Sequence, residues 1–447
     1  MIIKNKDLLS TTKLRKQALT IVESGIIKVL PPNIMSYALR YDAADRVLTI
    51  NGDTYRLSSG RVFVIGSGKA SGLMAETLEA IITPDNITTG IVNCKSGDYK
   101  TNKTKIVLAG HPIPDQRGIG GIKEMLALKQ LYSINENDLV VCLISGGGSA
   151  LMPYPVDEVS LEDKQSITGF LLSSGAEIGE INAVRKHFSK VKGGQLGRFF
   201  SPATIVSLIL SDVIGNDLAT VASGPTVPDP TTFSDAYDVL TKYDLLDRAP
   251  KSVIDFLRKG IQGEVAETPK TLDNCHNYII GDNRLALEAM LSQAKELGFK
   301  PHILTAEQKG DTSAVARSRA EEILDAKYAE YDAILIGGET TPKLPTATGR
   351  GGRNQHYAGV SIIAMKQYAG EWVVVSIGTD GSDFLPDVAG AIVDNNSLDI
   401  VKTKGIDVEP YLERYDSNTL LNKIGNSLII TGNTGTNVGD IIAYLLK

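Results

Sequence analysis

This sequence predicts two domains of the α/β class, the first built on a mostly parallel sheet with helices on both faces. Three observations carry that expectation. The 447 residues exceed what one hydrophobic core usually organises. Short apolar runs of strand character alternate with amphipathic stretches of helical length. Strand after strand ends in a loop rich in glycine, hydroxyl groups and charge, where open parallel sheets bind ligands.

In chain order, the periodicity predicts helices over Lys13–Val29 and Ile34–Tyr41, then a hairpin from Val47–Ile50, the turn Asn51-Gly52-Asp53 and Tyr55–Leu57. Arg61–Ile65 reads as a buried strand and Ser71–Ile82 as an amphipathic helix. Gly90–Asn93 and Lys105–Ala109 are further strands, followed by a helix from about Gly118 to Tyr132. Asp138–Ile144 is the clearest strand of the first half. Ser160 with Asp163 resembles a capping box, Glu177–Val191 a helix, and Thr204–Leu210 a strand. The polar stretch from Gly260 to Asn277 then divides the chain, giving expected domains of residues 1–265 and 266–447. Beyond it come strands Tyr278–Ile280, Pro301–Leu304, Ala333–Ile336, Trp372–Ile377 and Ser427–Ile430. Helices are expected over Arg284–Leu297, Ser313–Tyr328 and, last, Asn437–Leu446.

Composition narrows the function. A net charge of −6 offers no basic excess to displace counterions, so a nucleic-acid partner is not expected. Cys94, Cys142 and Cys275 are odd in number and widely spaced, against a disulfide framework or a zinc site. Met1-Ile2-Ile3-Lys4 opens no signal core, and Ala203–Leu210 is far short of a membrane span, so a soluble, cytoplasmic protein with no membrane partner is expected.

The loops carry the chemistry. Gly66-Ser67-Gly68-Lys69-Ala70-Ser71-Gly72 follows one strand and opens a helix. Its spacing is neither the dinucleotide fingerprint nor a Walker A loop; Lys69 sets a cation where an anionic substrate or transferring phosphate would sit, with a plain tight turn as the alternative reading. Gly146, Gly147, Gly148 and Ser149 follow the strand ending at Ile144 and suit an anion-binding nest. Asp212, after strand Thr204–Leu210, is a carboxylate able to hold Mg2+ or accept a proton, though an aspartate there is often just a cap. Upstream, Arg185-Lys186-His187, Lys190 and Lys192 put several cations on one helix and its exit; such runs are mostly solvated faces, with one or two members lining a site. In the second half, Arg350, Gly351, Gly352, Arg353 and Asn354 form a glycine-rich loop with two arginines fit for bidentate phosphate or carboxylate recognition. Thr379, Asp380 and Asp383 follow strand Trp372–Ile377, the two carboxylates being candidate Mg2+ ligands. Together these are the parts that phosphoryl transfer requires. His111, His187 and His356 form no triad, and only His111 is kept open as a site residue.

These motifs, with Gly110-His111-Pro112-Ile113-Pro114-Asp115, Ile181-Asn182, Ala222-Ser223-Gly224-Pro225-Thr226, Gly352-Arg353-Asn354-Gln355, Gly378-Thr379-Asp380-Gly381 and Thr434-Gly435-Thr436-Asn437, span nearly the whole chain in order. They resemble the glycerate 2-kinase family, whose C-terminal portion is the MOFRL domain. That resemblance implies a Rossmann-like first domain, a second α/β domain, and a site in the cleft between them. It also implies ATP and D-glycerate as substrates, Mg2+, and 2-phosphoglycerate and ADP as products, in a monomer or homodimer. The residues matching Lys69, Asp212 and Arg353 are taken as functional in the family. On this reading Lys69 and Arg353, with Ser67 and Arg350, bind the substrate carboxylate or the transferred phosphoryl group. Asp212 orients the 2-hydroxyl or helps hold Mg2+; Gly146–Ser149, Gly351, Gly352, Asn354 and Thr379 hold nucleotide phosphates. One position departs from the pattern: His356 stands where glutamate is expected.

Two other readings remain at this point. An NAD(P)H-dependent hydroxypyruvate reductase needs a nicotinamide site, and the loop at Gly66 has the wrong spacing for one. A non-catalytic sugar-phosphate sensor needs the anion nests but not the carboxylates or the two-arginine loop.

Overall fold

The computed structural model describes residues 1–57 and 60–447. The chain forms two compact units that differ from the expected division: a central unit, Ile34–Ile280, and a terminal unit made of Met1–Asn33 with Gly281–Lys447. The sequence expectation had put residues 1–33 in the first domain. They join the second because helix Lys13–Lys28 buries Leu14, Ala18, Leu19, Val22 and Ile26 in one core with Ala286, Leu287 and Met290 of helix Asn283–Glu296. An amphipathic stripe requires an apolar partner but does not name it. Gly25 allows the approach, since a Cβ there would lie 2.8 Å from Met290 Cγ.

The central unit opens with a small antiparallel sheet of β1 (Leu39–Asp42), β2 (Val47–Ile50) and β3 (Asp53–Arg56). The expected hairpin is β2–β3; the end of the expected helix Ile34–Tyr41 is instead β1. Its main sheet holds β4 (Val62–Ser67), β5 (Thr89–Cys94), β6 (Thr104–Leu108), β7 (Leu139–Ser145), β8 (Thr204–Leu210) and β9 (Cys275–Gly281). The order is β6-β5-β4-β7-β8-β9, and the pairs from β6 through β8 are parallel. β4 and β7 are buried at every residue, as a sheet covered on both faces demands. Tyr278–Ile280, expected in the second domain, belongs to β9 at this sheet's edge.

The terminal unit carries β10 (Pro301–Gln308), β11 (Ala333–Gly338), β12 (Trp372–Gly378), β13 (Gly390–Asp394), β14 (Leu428–Ile429) and β15 (Asp440–Leu446), in the order β10-β11-β15-β12-β13-β14. Here only β10–β11 is parallel among the described pairings. The last helix expected from Asn437 to Leu446 is β15, wedged antiparallel between β11 and β12. Its run Ile441-Ile442-Ala443-Tyr444-Leu445-Leu446 is buried throughout. A strand covered on both faces loses its alternation, so period alone does not separate it from a buried helix. Among the described residues no single helix is long and apolar enough to cross a membrane. All three cysteines are free.

Candidate active site

In the central sheet the chain turns one way from β4, to β5 and β6, and the other way from β7, to β8 and β9. The carboxyl ends of β4 and β7 therefore form a topological switch point, the usual ligand crevice of such sheets. The two loops singled out in the sequence meet there. Lys69 N–H donates to Gly146 O at 2.9 Å and Ala70 N–H to Ser145 Oγ at 2.9 Å. Gly147 has φ +79°, and a Cβ on it would lie 2.8 Å from His111 Nε2 and 3.2 Å from Lys69 Cγ. Glycine is needed there for its backbone and for the close approach of both side chains. Of the scattered histidines, His111 is the one placed at this loop.

Ser67, the last residue of β4, buries a hydroxyl that has no hydrogen-bond partner among the described residues. Among those residues the N–H groups of Gly147, Gly148 and Ser149, at the start of helix Gly148–Leu151, donate no backbone hydrogen bond in a loop, an arrangement able to cradle an anion. Ser149 Oγ lies 2.6 Å from Ser223 Oγ, which donates to Asn182 Oδ1 at 2.9 Å. Ala222 and Ser223 hold left-handed φ of 51° and 63°, strain of the kind that concentrates at functional sites. Ser223 and Asn182 lay in motifs of the sequence but were not candidates; only the fold brings them to Ser149. Asp212 follows β8, one strand beyond β7 on the same sheet edge, and is partly exposed. The neighbouring turn is capped by Asp217, which accepts from Ala219 N–H.

The terminal unit gathers a second set of predicted residues. Because β15 runs antiparallel to β11 and β12, its first residue, Asp440, pairs with Gly338 and Gly378 at their carboxyl ends. Asp440 accepts from Arg353 Nε at 2.5 Å and Nη2 at 3.1 Å, while Glu339 takes Arg353 Nη1 at 2.6 Å. Burial alone would weaken this cation, but the two carboxylates more than offset it and hold Arg353 above its ordinary pKa. Asp440 escaped the sequence reading because residues 437–446 were assigned to a helix.

Asp383 is buried and caps helix Arg353–Ala364, accepting from Asn354 N–H at 3.0 Å and Gln355 N–H at 2.8 Å. Burial pushes its carboxyl upward in pKa. The carboxylate is engaged by the helix it caps, so the sequence-based metal assignment does not suit it. Asn354 bridges Asp383, Asp440 and Ser376. Thr379 Oγ1 donates to Gly439 O and accepts from Val438 N–H, pinning the loop before β15. Both side chains, expected at nucleotide phosphates, act as scaffold here. Asp380 accepts from Ser382 N–H at 2.9 Å. Arg350 is exposed, its backbone N–H held by Asp416. Gly352 gives Asp383 room, since a Cβ would fall 2.0 Å from its carbonyl oxygen. Gly351 lies beside the backbone of Ser417 and Asn418.

His356 is buried between Ser313 Oγ, 2.7 Å from Nε2, and Ser417 Oγ, 2.9 Å from Nδ1, and stacks on Tyr415 at 3.9 Å. Burial pushes its pKa down to about 4, so the ring is a neutral packing element. The departure at this position is therefore structural. Among the described residues no three His, Cys, Asp or Glu side chains gather as a metal site.

A family profile described as a domain of unknown function, DUF4147, matches residues 17–258, and the MOFRL family profile matches residues 332–440. A protein named glycerate 2-kinase from Pyrococcus horikoshii is 42% identical over 411 residues, covering 90% of this chain and 91% of its own. One named D-glycerate 2-kinase from Thermotoga maritima is 37% identical, covering 97% and 98%. A protein named as a hydroxypyruvate reductase, from Agrobacterium vitis, is 38% identical, covering 90% and 91%. The crystal structure of a glycerate kinase from Thermotoga maritima superposes with a TM-score of 0.81 at 36% identity, covering 97% of this chain and 99% of that one. With both profiles matching in order and relatives of this identity aligned nearly end to end, the chain belongs to the glycerate kinase family.

Proposed function

We propose that this protein transfers the γ-phosphoryl group of ATP to the 2-hydroxyl of D-glycerate, giving 2-phosphoglycerate and ADP. The observation that carries the reading is the meeting of Lys69 with the donor-rich loop Gly147–Ser149 at the switch point of the parallel sheet. The choice of the 2-hydroxyl follows the names of the Pyrococcus and Thermotoga relatives.

In this mechanism the amides of Gly147, Gly148 and Ser149 hold the nucleotide phosphates. Lys69 neutralises charge that develops on the transferring group, the usual main source of rate in phosphoryl transfer. Asp212, at the carboxyl end of β8, orients the 2-hydroxyl and accepts its proton as the new P–O bond forms. Ser67 donates its buried hydroxyl to the substrate, and Arg353, fixed by Asp440 and Glu339, is the proposed anion-binding cation of the terminal unit. Mg2+ arriving with ATP needs only one or two protein carboxylates. Asp212 fits that role and the helix-capping Asp383 does not; the ion would neutralise phosphate charge. The protein is proposed to act in the cytoplasm as a monomer or homodimer.

The name of the Agrobacterium relative makes a reductase the reading to exclude. Dinucleotide folds hold pyrophosphate on the first amides of the helix after the first strand. Here the two amides just before the helix that starts at Ser71, Lys69 N–H and Ala70 N–H, are already bonded to Gly146 O and Ser145 Oγ. The deciding experiment is 31P NMR of the full chain with ATP, Mg2+ and D-glycerate, beside an NADH-oxidation assay with hydroxypyruvate. A 2-phosphoglycerate signal matched by ADP is expected. A 3-phosphoglycerate signal would overturn the position, NADH oxidation without phosphoester would move the protein to the reductases, and neither activity would favour a sensor.

A further inference from the structure

Beside the glycine loop of the central unit lies a group of cations that the mechanism above does not use. Lys164 sits on helix Leu161–Ser173, Arg185 on helix Ile178–His187, and Lys192 just after it. Lys192 is wholly buried, Lys164 is 2% exposed and Arg185 is partly open. Among the described residues none of the three has a carboxylate within ion-pair distance. Lys192 Nζ, Arg185 Nε and Asn182 Nδ2 are buried without any hydrogen-bond partner. The buried carboxylate near Gly193, Asp229, is bonded through Oδ1 to Lys186 Nζ at 3.3 Å and to Thr231 Oγ1 at 2.8 Å, while its Oδ2 has no hydrogen-bond partner among the described residues. Burial first, and then the mutual repulsion of the group, pushes both lysines well below their ordinary pKa; burial brings Arg185 down to about 10.

Burying like charges together without a partner is strongly unfavourable, and apolar side chains of similar size would fill the space at lower cost. Lysine and arginine offer donors only, so the missing complement is an acceptor carrying negative charge. The location supports a ligand. Gly193 N–H donates to Ser223 O, and Asn182 Oδ1 accepts from Ser223 Oγ, which contacts Ser149 of the glycine loop. Arg185, on the same helix face as Asn182, is the member open to entry.

We propose that Lys164, Arg185 and Lys192, with the Asn182 amide, form a receptor for an oxyanion of the substrates, either the carboxylate of glycerate or a phosphate of the nucleotide. The identity of those substrates rests on the proposed kinase reading; the receptor itself does not. The test uses the full chain as wild type, Lys192→Met and Arg185→Gln. Melting is followed alone and with inorganic phosphate, D-glycerate or ATP, and steady-state KM is measured for each substrate.

Lys192→Met should melt no lower than wild type without anion, because an unpaired buried charge has been removed. A lysine held only for packing would show the reverse. Stabilisation by the anion should shrink in both variants. A rise of about 10- to 100-fold in KM for D-glycerate alone assigns the carboxylate, and the same rise for ATP alone assigns a phosphate. Anion stabilisation and both KM values equal to wild type would overturn the receptor. Should Lys192→Met not fold, Arg185→Gln is read by the same criteria. Should the wild type phosphorylate no glycerate, the kinase reading falls, and the phosphate-induced melting shift judges the receptor alone.

Discussion

Replacing Asp440 by Asn tests the feature that the terminal unit's topology creates. The substitution keeps the shape but removes a buried negative charge and turns a donor toward Arg353, which now contacts that carboxylate at 2.5 and 3.1 Å. Breaking a buried ion pair from one side costs about 3–5 kcal/mol. Two facts reduce that figure here: the Arg353 side chain is 30% exposed, and Glu339 remains bound to it at 2.6 Å. We expect a loss of about 2 kcal/mol. With a urea slope of about 2–3 kcal/mol/M, the midpoint should fall by roughly 0.7–1 M. The chain's one tryptophan, Trp372, lies buried in β12 directly beside β15, so its fluorescence reports on this unit. A midpoint within roughly 0.2 M of wild type would refute the claim that Asp440 anchors Arg353. In an Asp440→Asn/Arg353→Gln double variant the losses should not add, because the pair acts as one unit.

Other expectations follow from the same structure. Lys69→Ala should lower turnover about 100-fold or more with the circular dichroism spectrum unchanged, and near-normal kcat would remove Lys69 from the mechanism. Gly147→Ala puts a methyl group 2.8 Å from His111 Nε2 at a φ of +79°; kcat/KM should fall about tenfold or more, and unaltered kinetics would argue that the loop is only a turn. His356 has its folded pKa depressed from 6.5 to about 4, so its contribution is complete above pH 6.5 and is lost as pH falls toward 4. That amounts to about 3 kcal/mol across the window, and His356→Gln should flatten this part of the pH–stability profile; parallel profiles for variant and wild type would contradict the neutral buried ring.

The parallel sheet of the central unit was legible because each of its strands is short, apolar and punctuated. Ser71–Ile82 and Thr204–Leu210 match their helix and strand to the residue. The loops around Lys69 and Gly147 stood out too, since glycines in a row after buried strands allow tight turns and a close approach of backbones. The terminal unit was harder. Thr379, Asn354 and Asp383 have the composition of a ligand loop, yet Asn354 and Asp383 are bonded to each other at a helix start and Thr379 to the loop before β15.

In the parallel sheet of the central unit, local sequence by itself placed the strands to within a few residues and set which side chains stand in the loops after them. Period, glycine and charge act over a few residues and need no distant partner. Only the tertiary structure decided that residues 1–33 pack against helix Asn283–Glu296, that β15 is a central strand carrying Asp440 to Arg353, and that Lys164, Arg185 and Lys192 come within reach of one another's charge. Each of these depends on which apolar faces meet, and a hydrophobic stripe or a cation carries no record in its own neighbours of what will be folded against it.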